Sequence, residues 1–382
     1  MKALRLVFSL ALAALAVNGS AFDKETLTGE LERTRLAEDM PGLRAAIRYP
    51  DGTLVTGAVG YANPAMDQPL DDTIGMPGGS TGKTFVAALA LLLVEDGALS
   101  LDDPVSKWLG GEDWFERLPN AATLRVRHLL THTSGMHDWI SSWRFNLRMV
   151  GRTIADGSAY FTPEELIGYT LGKRPKFPAG EGYAYTDNSY LVLGRIIEAA
   201  SGRNYFELLE ERILAPQGLD RVHPQLQSAL PNIAMGHMGG APSLKDDGRM
   251  KLDPRTEWTG GGLVTDPVML VTFYAALAEG RVVSAKSLST MIDSGFQDPE
   301  HPEWHYGMGL FVNEAPRSIG HGGLWPGYRT HVMHFLDSGI TVAVQTNRDG
   351  RLDLPGLVRR LAGLAEGEAP ATTHSPSANL IP

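Results

Sequence analysis

The stretch "GMPGGSTGKTFVAALALLLVEDG", Gly75 to Gly97, decides how this chain is read, because it fits three incompatible patterns. Gly78 to Gly82 fits G-x-S-x-G, a serine raised on a strand-to-helix elbow. Gly82-Lys83-Thr84 closes like a loop that cradles nucleotide phosphates. Ser80 and Lys83 form S-x-x-K, a serine with a lysine one helical turn away.

A phosphate loop needs glycine at position 77, where Pro77 stands, and a buried parallel strand before it. The preceding "DQPLDDTIGMP" is polar and turn-like. The elbow needs the same strand, and Ser80 falls too early to leave room for the βα units that precede such a serine. Its short pattern is also expected by chance in a chain with 43 glycines. S-x-x-K needs only a helix. Phe85 to Glu95 is an almost unbroken apolar run that stops at Asp96-Gly97, the pattern of a helix buried on all sides. Three residues advance about 300° around a helix, so Ser80 and Lys83 share one face. A serine at a helix N-terminus also meets the positive end of the helix dipole. Of the nine lysines, only Lys83 has a serine three residues before it.

The N-terminus speaks to location. Lys2 and Arg5 precede an apolar run from Leu6 to Val17, followed by "NGSA", the order of a cleavable secretory signal over residues 1–21. About 12 apolar residues are too few to span a bilayer. The mature protein is therefore expected in the periplasm or outside a bacterial cell, with no integral membrane segment. There are no cysteines, so an exported chain must rely on its core rather than on disulfides. Formal charge is −10, and no basic cluster points to nucleic acid.

"LRAAIRYPDGTLVTGAVGY" reads as a β-hairpin turning at Pro50-Asp51-Gly52. Residues from about 98 to 245 look helical and loop-rich; "TPEELIGYTLG" and "NSYLVLGRIIEAASG" carry helix start and stop signals. After about 250, "HYGMGLFVNE" and "THVMHFLDSGITVAVQTN" read as antiparallel strands, and "DLPGLVRRLAGLAEG" as a closing helix. The expected fold is α+β: an antiparallel sheet flanked by helices, built from 22–97 and 246–366. A mostly helical domain, 98–245, is inserted, and 367–382 reads as a disordered tail.

Two more constellations join S-x-x-K. "YAYTDNSYLVLG" sets Tyr185 two residues before Asp187, and "IGHGGLWPGYRTHVMHF" sets His321 two before Gly323. With these the chain resembles the serine β-lactamase and penicillin-binding superfamily, in its class C β-lactamase, DD-peptidase and esterase branch. That family carries S-x-x-K, Y-x-N and [KH]-x-G in this order. "LSLDDPVSKWL", "TLRVRHLLTHTSGM", "FELLEERILAPQGLD" and "GGGLVTDPVML" are further family-like stretches. The resemblance covers roughly residues 25 to 365 and implies the β-lactamase/transpeptidase-like fold.

The resemblance implies that Ser80 is the nucleophile of an acyl-enzyme, with Lys83 and Tyr185 as the proton-shuttling pair. The backbone N–H groups of Ser80 and Leu324 would form the oxyanion hole. Asp187, His321, Gly323, Arg329 and Trp139 are the candidate substrate-binding residues; Trp139 lies near Trp143 and Phe145 in a region that borders the family's cleft. His321 stands where class C β-lactamases have lysine, and neutral histidine offers no permanent cation to a substrate carboxylate. Asp187 stands where the family more often has asparagine; a carboxylate there pairs with Lys83 and shifts the burden of base catalysis to Tyr185. The pair His128 and His132 lacks the glutamate of a zinc motif, so no metal and no cofactor are expected. The chain then reads as an exported serine hydrolase, esterase-like or D-amino-acid-peptidase-like, acting on a small ester, amide or peptide. A β-lactamase or DD-carboxypeptidase, and a penicillin-recognising binding protein with little turnover, are the alternatives.

Overall fold

Alternation of large apolar residues along the strands gives the central sheet two buried faces. The computed structural model describes residues 22–367; the signal at 1–21 and the tail beyond Gly367 lie outside the described residues. Helix α1, Lys24–Ala37, starts on Asp23, whose carboxylate accepts the Thr26 N–H. Strands β1, Gly42–Arg48, and β2, Leu54–Asn63, form the expected hairpin, with Gly52 at φ +89° in its turn. A two-residue β3, Gln68–Pro69, follows. The C-terminal part adds β4, Trp304–Tyr306; β5, Phe311–Glu314; β6, Arg317–Trp325; β7, Tyr328–Phe335; and β8, Thr341–Thr346. These eight form one antiparallel sheet in the order β3-β2-β1-β8-β7-β6-β5-β4. The hairpin therefore joins the C-terminal strands through the β1–β8 pair, Leu43 opposite Thr346.

Leu43, Ala45 and Ile47 of β1, with Val342 and Val344 of β8, pack toward α1 and the closing helix Leu354–Ala365. Ala46 and Ala343, on the opposite face, join the larger core. That core contains the two apolar helices Gly82–Glu95 and Pro267–Ala278. The first of these, α2, is buried on all sides from Gly82 to Leu91, as its composition requires, and ends where Gly97 adopts φ +74°. Helix α3 spans Trp143–Asp156, and α4 spans Asp187–Ser201. Thr186 caps α4 through its hydroxyl, and Gly202 closes it in the left-handed region.

One part of the architecture departs from the sequence reading. A separate three-stranded sheet pairs Met76–Pro77 and His223–Pro224 with the two edges of Leu263–Thr265. His223–Pro224 lies inside the stretch expected to be helical. Strands of two residues are too short to show alternation, so the sequence carries no signal for them. This small sheet sets Met76, four residues before Ser80, beside the strand that follows Gly260–Gly262. Buried Arg44 fixes the same lead-in: its guanidinium donates to the carbonyls of Asp71 and Ile74 and to Gln345 Oε1.

Candidate active site

Ser80 sits in a 3-10 turn, Gly79–Thr81, that runs directly into α2. Two glycines make the turn possible. Gly79 adopts φ +58°, and a Cβ there would stand 2.5 Å from the Leu324 nitrogen. A Cβ on Gly82 would stand 1.9 Å from the Gly261 carbonyl oxygen. The glycines that imitate an elbow motif are thus explained by the convergence of three backbone segments around the serine.

Lys83 is completely buried, and its ammonium meets three oxygen atoms. Nζ donates to Ser80 Oγ at 2.9 Å and to the Gly260 carbonyl at 2.5 Å, and pairs with Asp187 Oδ1 at 2.6 Å. S-x-x-K and the aspartate of Y-x-D therefore meet, as the sequence implied. The ring of Tyr185 lies 5.1 Å from Lys83 Nζ.

His132 holds Tyr185 in place. Its carbonyl accepts the Ala184 N–H at 3.0 Å, its Nδ1 accepts the Thr186 N–H at 3.3 Å, and its ring packs against that of Tyr185, tilted by 39° with centroids 4.1 Å apart. Both peptide neighbours of Tyr185 are thus tied to one residue. Burial, reinforced by the positive Lys83, drives the His132 pKa well below the ordinary value, so the ring is neutral. His128, its partner in the H-x-x-x-H pair, instead accepts the Arg125 N–H through Nδ1 and caps a short helix.

The Tyr185 hydroxyl is sealed from solvent and has no partner of standard hydrogen-bond geometry. Burial raises its pKa well above 10, negative Asp187 raises it further, and the Ser80 hydroxyl opposes the rise. This environment favours phenol over phenolate. A proton donor fits these surroundings, and the base expected from the sequence, as a resting-state phenolate, does not.

Two carboxyl groups that the sequence gave no reason to select complete the site. Asp138 Oδ2 accepts the Asp187 N–H at 2.7 Å, and its Oδ1 accepts the Ile140 N–H. Burial, then repulsion from Asp187, pushes its pKa up to about 6. Glu257 is buried below Gly261, with Oε2 unpartnered. Burial raises its pKa to about 8; Lys83 pulls it down and Asp187 pushes it up. Three carboxyls therefore surround one lysine. They come from the start of α4 and from two separate loops, with no common motif.

His321 takes a different place from the one expected. It is buried, and both ring nitrogens are used within the protein. Nδ1 must donate to the Gly322 carbonyl, 2.6 Å away, because a carbonyl only accepts; Nε2 then accepts from the Tyr306 hydroxyl at 3.0 Å. Burial and Lys83 lower its pKa to about 3. His321 braces β6 and Tyr306 and leaves no ring nitrogen free for a substrate. Gly323 serves close approach: a Cβ there would stand 1.9 Å from the Gly78 carbonyl oxygen. The Leu324 backbone consequently runs beside the Ser80 turn, the proximity a two-donor oxyanion site requires.

Arg329 stands opposite Leu324 in the β6–β7 ladder, half-buried, with Nη1 donating to the Gly350 carbonyl at 2.6 Å. Trp139, expected to line the cleft, is a core residue, edge-on to Phe145 at 4.5 Å. Trp143 instead points outward, 73% exposed.

Comparison with known proteins agrees with this geometry. A family profile described as Beta-lactamase matches residues 29–366. The chain belongs to the beta-lactamase family. It is similar to penicillin-binding protein 4* of Bacillus subtilis, 28% identical over 76% of this chain and 64% of that protein. It is also similar to a D-aminopeptidase of Brucella anthropi, 26% identical over 87% of this chain and 61% of that protein. The chain spans about three fifths of the length of these curated relatives. Among solved structures, a D-stereospecific amidohydrolase from Streptomyces sp. superposes with a TM-score of 0.74 at 27% identity, covering 86% of this chain and 95% of that one. A D-amino acid amidase from Ochrobactrum anthropi SV3 gives 0.72 at 25% identity, over 89% and 96% of the two chains. The mixed fold with its antiparallel sheet is the fold of this family, whose place is within the serine hydrolase superfamily.

Proposed function

We propose that this protein is an exported serine hydrolase that forms an acyl-enzyme on Ser80. Its preferred substrates would be small amides or esters carrying an ammonium group near the scissile carbonyl, D-amino-acid amides above all. The observation that carries this reading is the charge around Lys83. Lys83 is paired with Asp187, the Asp138 carboxylate accepts the Asp187 N–H, and His132 and His321 are neutral. A substrate carboxylate entering here meets like charge in a partly desolvated site, whereas an ammonium group meets opposite charge. The names of the D-aminopeptidase and D-amino acid amidase relatives support the same class and supply the stereochemistry.

The steps balance as follows. Ser80 Oγ–H passes its proton to Lys83 Nζ as Lys83 passes one to Asp187 Oδ1, and Oγ bonds to the substrate carbonyl carbon. The Ser80 and Leu324 amides meet the oxyanion. When the carbonyl–nitrogen bond breaks, the Tyr185 phenol gives its proton to the leaving amine and recovers one from Lys83, which is reprotonated by Asp187. Water then releases the acyl group by the same route in reverse. An ester leaving group departs with less need of a proton, so short esters should also be turned over. Retention of Ser80, Lys83 and Tyr185 together argues against a pure binding protein.

A substrate panel tests the reading: D-phenylalanine and L-phenylalanine p-nitroanilides, p-nitrophenyl butyrate and a chromogenic cephalosporin. The expected kcat/KM order places the D-anilide above the L-anilide, and the ester above the cephalosporin. A cephalosporin that is the best substrate would overturn it.

A further inference from the structure

We infer that helix α3 is a docking surface for an anionic lipid bilayer. Trp143, Leu147, Val150 and Ile154 lie on its outer side and are 73, 66, 51 and 81% exposed. At about 100° per residue they fall within roughly 60° of arc, a single apolar stripe. The inner side, Phe145 and Met149, is what holds α3 to the protein. A stripe of this kind on a soluble chain marks an interaction site rather than a packing accident.

Charge beside the stripe identifies the occupant. Arg144 and Arg148 follow on one flank, both exposed. Arg152, the third arginine, is tied to Glu165 at 2.6 Å, while Arg144 and Arg148 enter no ion pair among the described residues. A chain of net charge −10 thus concentrates free guanidinium groups next to its most exposed tryptophan and aliphatic side chains. Apolar residues including Trp on one side with arginine on the next is the composition of a helix that lies in a bilayer interface. Among the described residues no helix is long and apolar enough to cross a membrane, so the contact is peripheral.

A second copy of this chain fits the surface less well. An antiparallel twofold pairing of α3 helices would place the two arginine flanks on the same side. A helix of about 21 Å also offers less area than the roughly 800 Å² per partner of a standard interface. A functional consequence follows from position. Val150 and Ile154 also line an apolar groove of about 340 Å³ whose other walls include Trp325 and Pro326. Trp325 follows Leu324, the oxyanion candidate, on β6, so docking through α3 would bring that end of β6 toward the lipid surface.

Co-sedimentation of the purified protein with vesicles tests this. Binding to phosphatidylglycerol–phosphatidylcholine vesicles should exceed binding to phosphatidylcholine alone by about thirtyfold, the scale for two arginines near an anionic surface, and should weaken with salt. The double variant Leu147→Glu with Ile154→Glu should lose binding at unchanged circular dichroism and unchanged p-nitrophenyl butyrate turnover. Arg144→Gln with Arg148→Gln should remove the preference for anionic lipid. The N-terminal apolar run is common to all these proteins, so only the differences between them count. Binding that is equal in wild type and the double variant overturns the inference. So does a concentration-dependent dimer in light scattering that the double variant dissolves.

Discussion

Lys83 and Asp187 face each other at 2.6 Å from the first turns of two different helices, α2 and α4. The N-terminus of α2 is the unfavourable end of the dipole for a cation, while that of α4 suits an anion. The pair therefore offsets what α2 alone would disfavour. Asp187→Asn should remove the carboxylate that an incoming carboxylate substrate meets. Both substrates lose the Asp187 proton relay, but only the cephalosporin is relieved of repulsion, so the expected outcome is a smaller loss of kcat/KM for the cephalosporin than for the D-anilide, measured side by side. If the cephalosporin rate falls as steeply as the anilide rate, Asp187 is needed for proton transfer more than for selecting charge.

Ser80 alone combines a lysine one turn on with an adjacent oxyanion candidate. A fluorophosphonate should label it, and peptide mass spectrometry should find the adduct on Ser80 only. Ser80→Ala should lose both label and turnover; activity that survives would move the nucleophile elsewhere. Tyr185→Phe should retain labelling of Ser80 at a reduced rate and lower kcat by about 100-fold or more. The effect should be larger for the anilide than for the p-nitrophenyl ester, whose leaving group needs no proton.

Buried Arg44 makes a structural prediction. Burial lowers its pKa to about 10, and it is held by carbonyls and an amide oxygen instead of a carboxylate. Arg44→Met would keep much of the volume but leave the Asp71 and Ile74 carbonyls and Gln345 Oε1 without that donor. Thermal or urea unfolding should show a loss of about 3 kcal/mol, from the cost of buried unsatisfied acceptors. An unchanged Tm would mean that water replaces the guanidinium there.

How far the site could be read in advance followed from how local its parts are. Ser80 with Lys83 is a one-turn relation, and Tyr185 with Asp187 is two residues apart, so both were legible once a helix was recognised. The apolar composition of α2 and the alternation in the strands likewise announced the sheet and its buried helix. His321 was misplaced because its partner, Tyr306, lies 15 residues away on another strand, and only the ladder brings them together. Asp138 and Glu257 are loop acids like many others in the sequence. Burial and Asp187, which are tertiary facts, make them unusual. Trp139 and Trp143 are four residues apart with opposite fates, one in the core and one in solvent, and aromatic content alone does not decide between these.

The last prediction concerns Glu257 and pH. An unfolded glutamate titrates near its ordinary value of 4.5, while burial raises the folded value to about 8. A carboxyl whose folded pKa is raised binds its proton more tightly in the folded state. Its contribution to stability is therefore fully present below about pH 4.5 and is lost as pH rises toward 8 and beyond. Asp138, raised to about 6, adds a loss of the same sign over a lower window. Glu257→Gln keeps the shape and cannot ionise, so it removes the first of these losses. The variant should match wild type below about pH 4.5 and exceed its Tm by several degrees at pH 9, with the gap opening between about pH 4.5 and 8 and staying constant above that. Differential scanning fluorimetry across that range measures it. A constant offset at every pH would mean that Glu257 is already ionised in the folded protein and that Lys83 outweighs its burial.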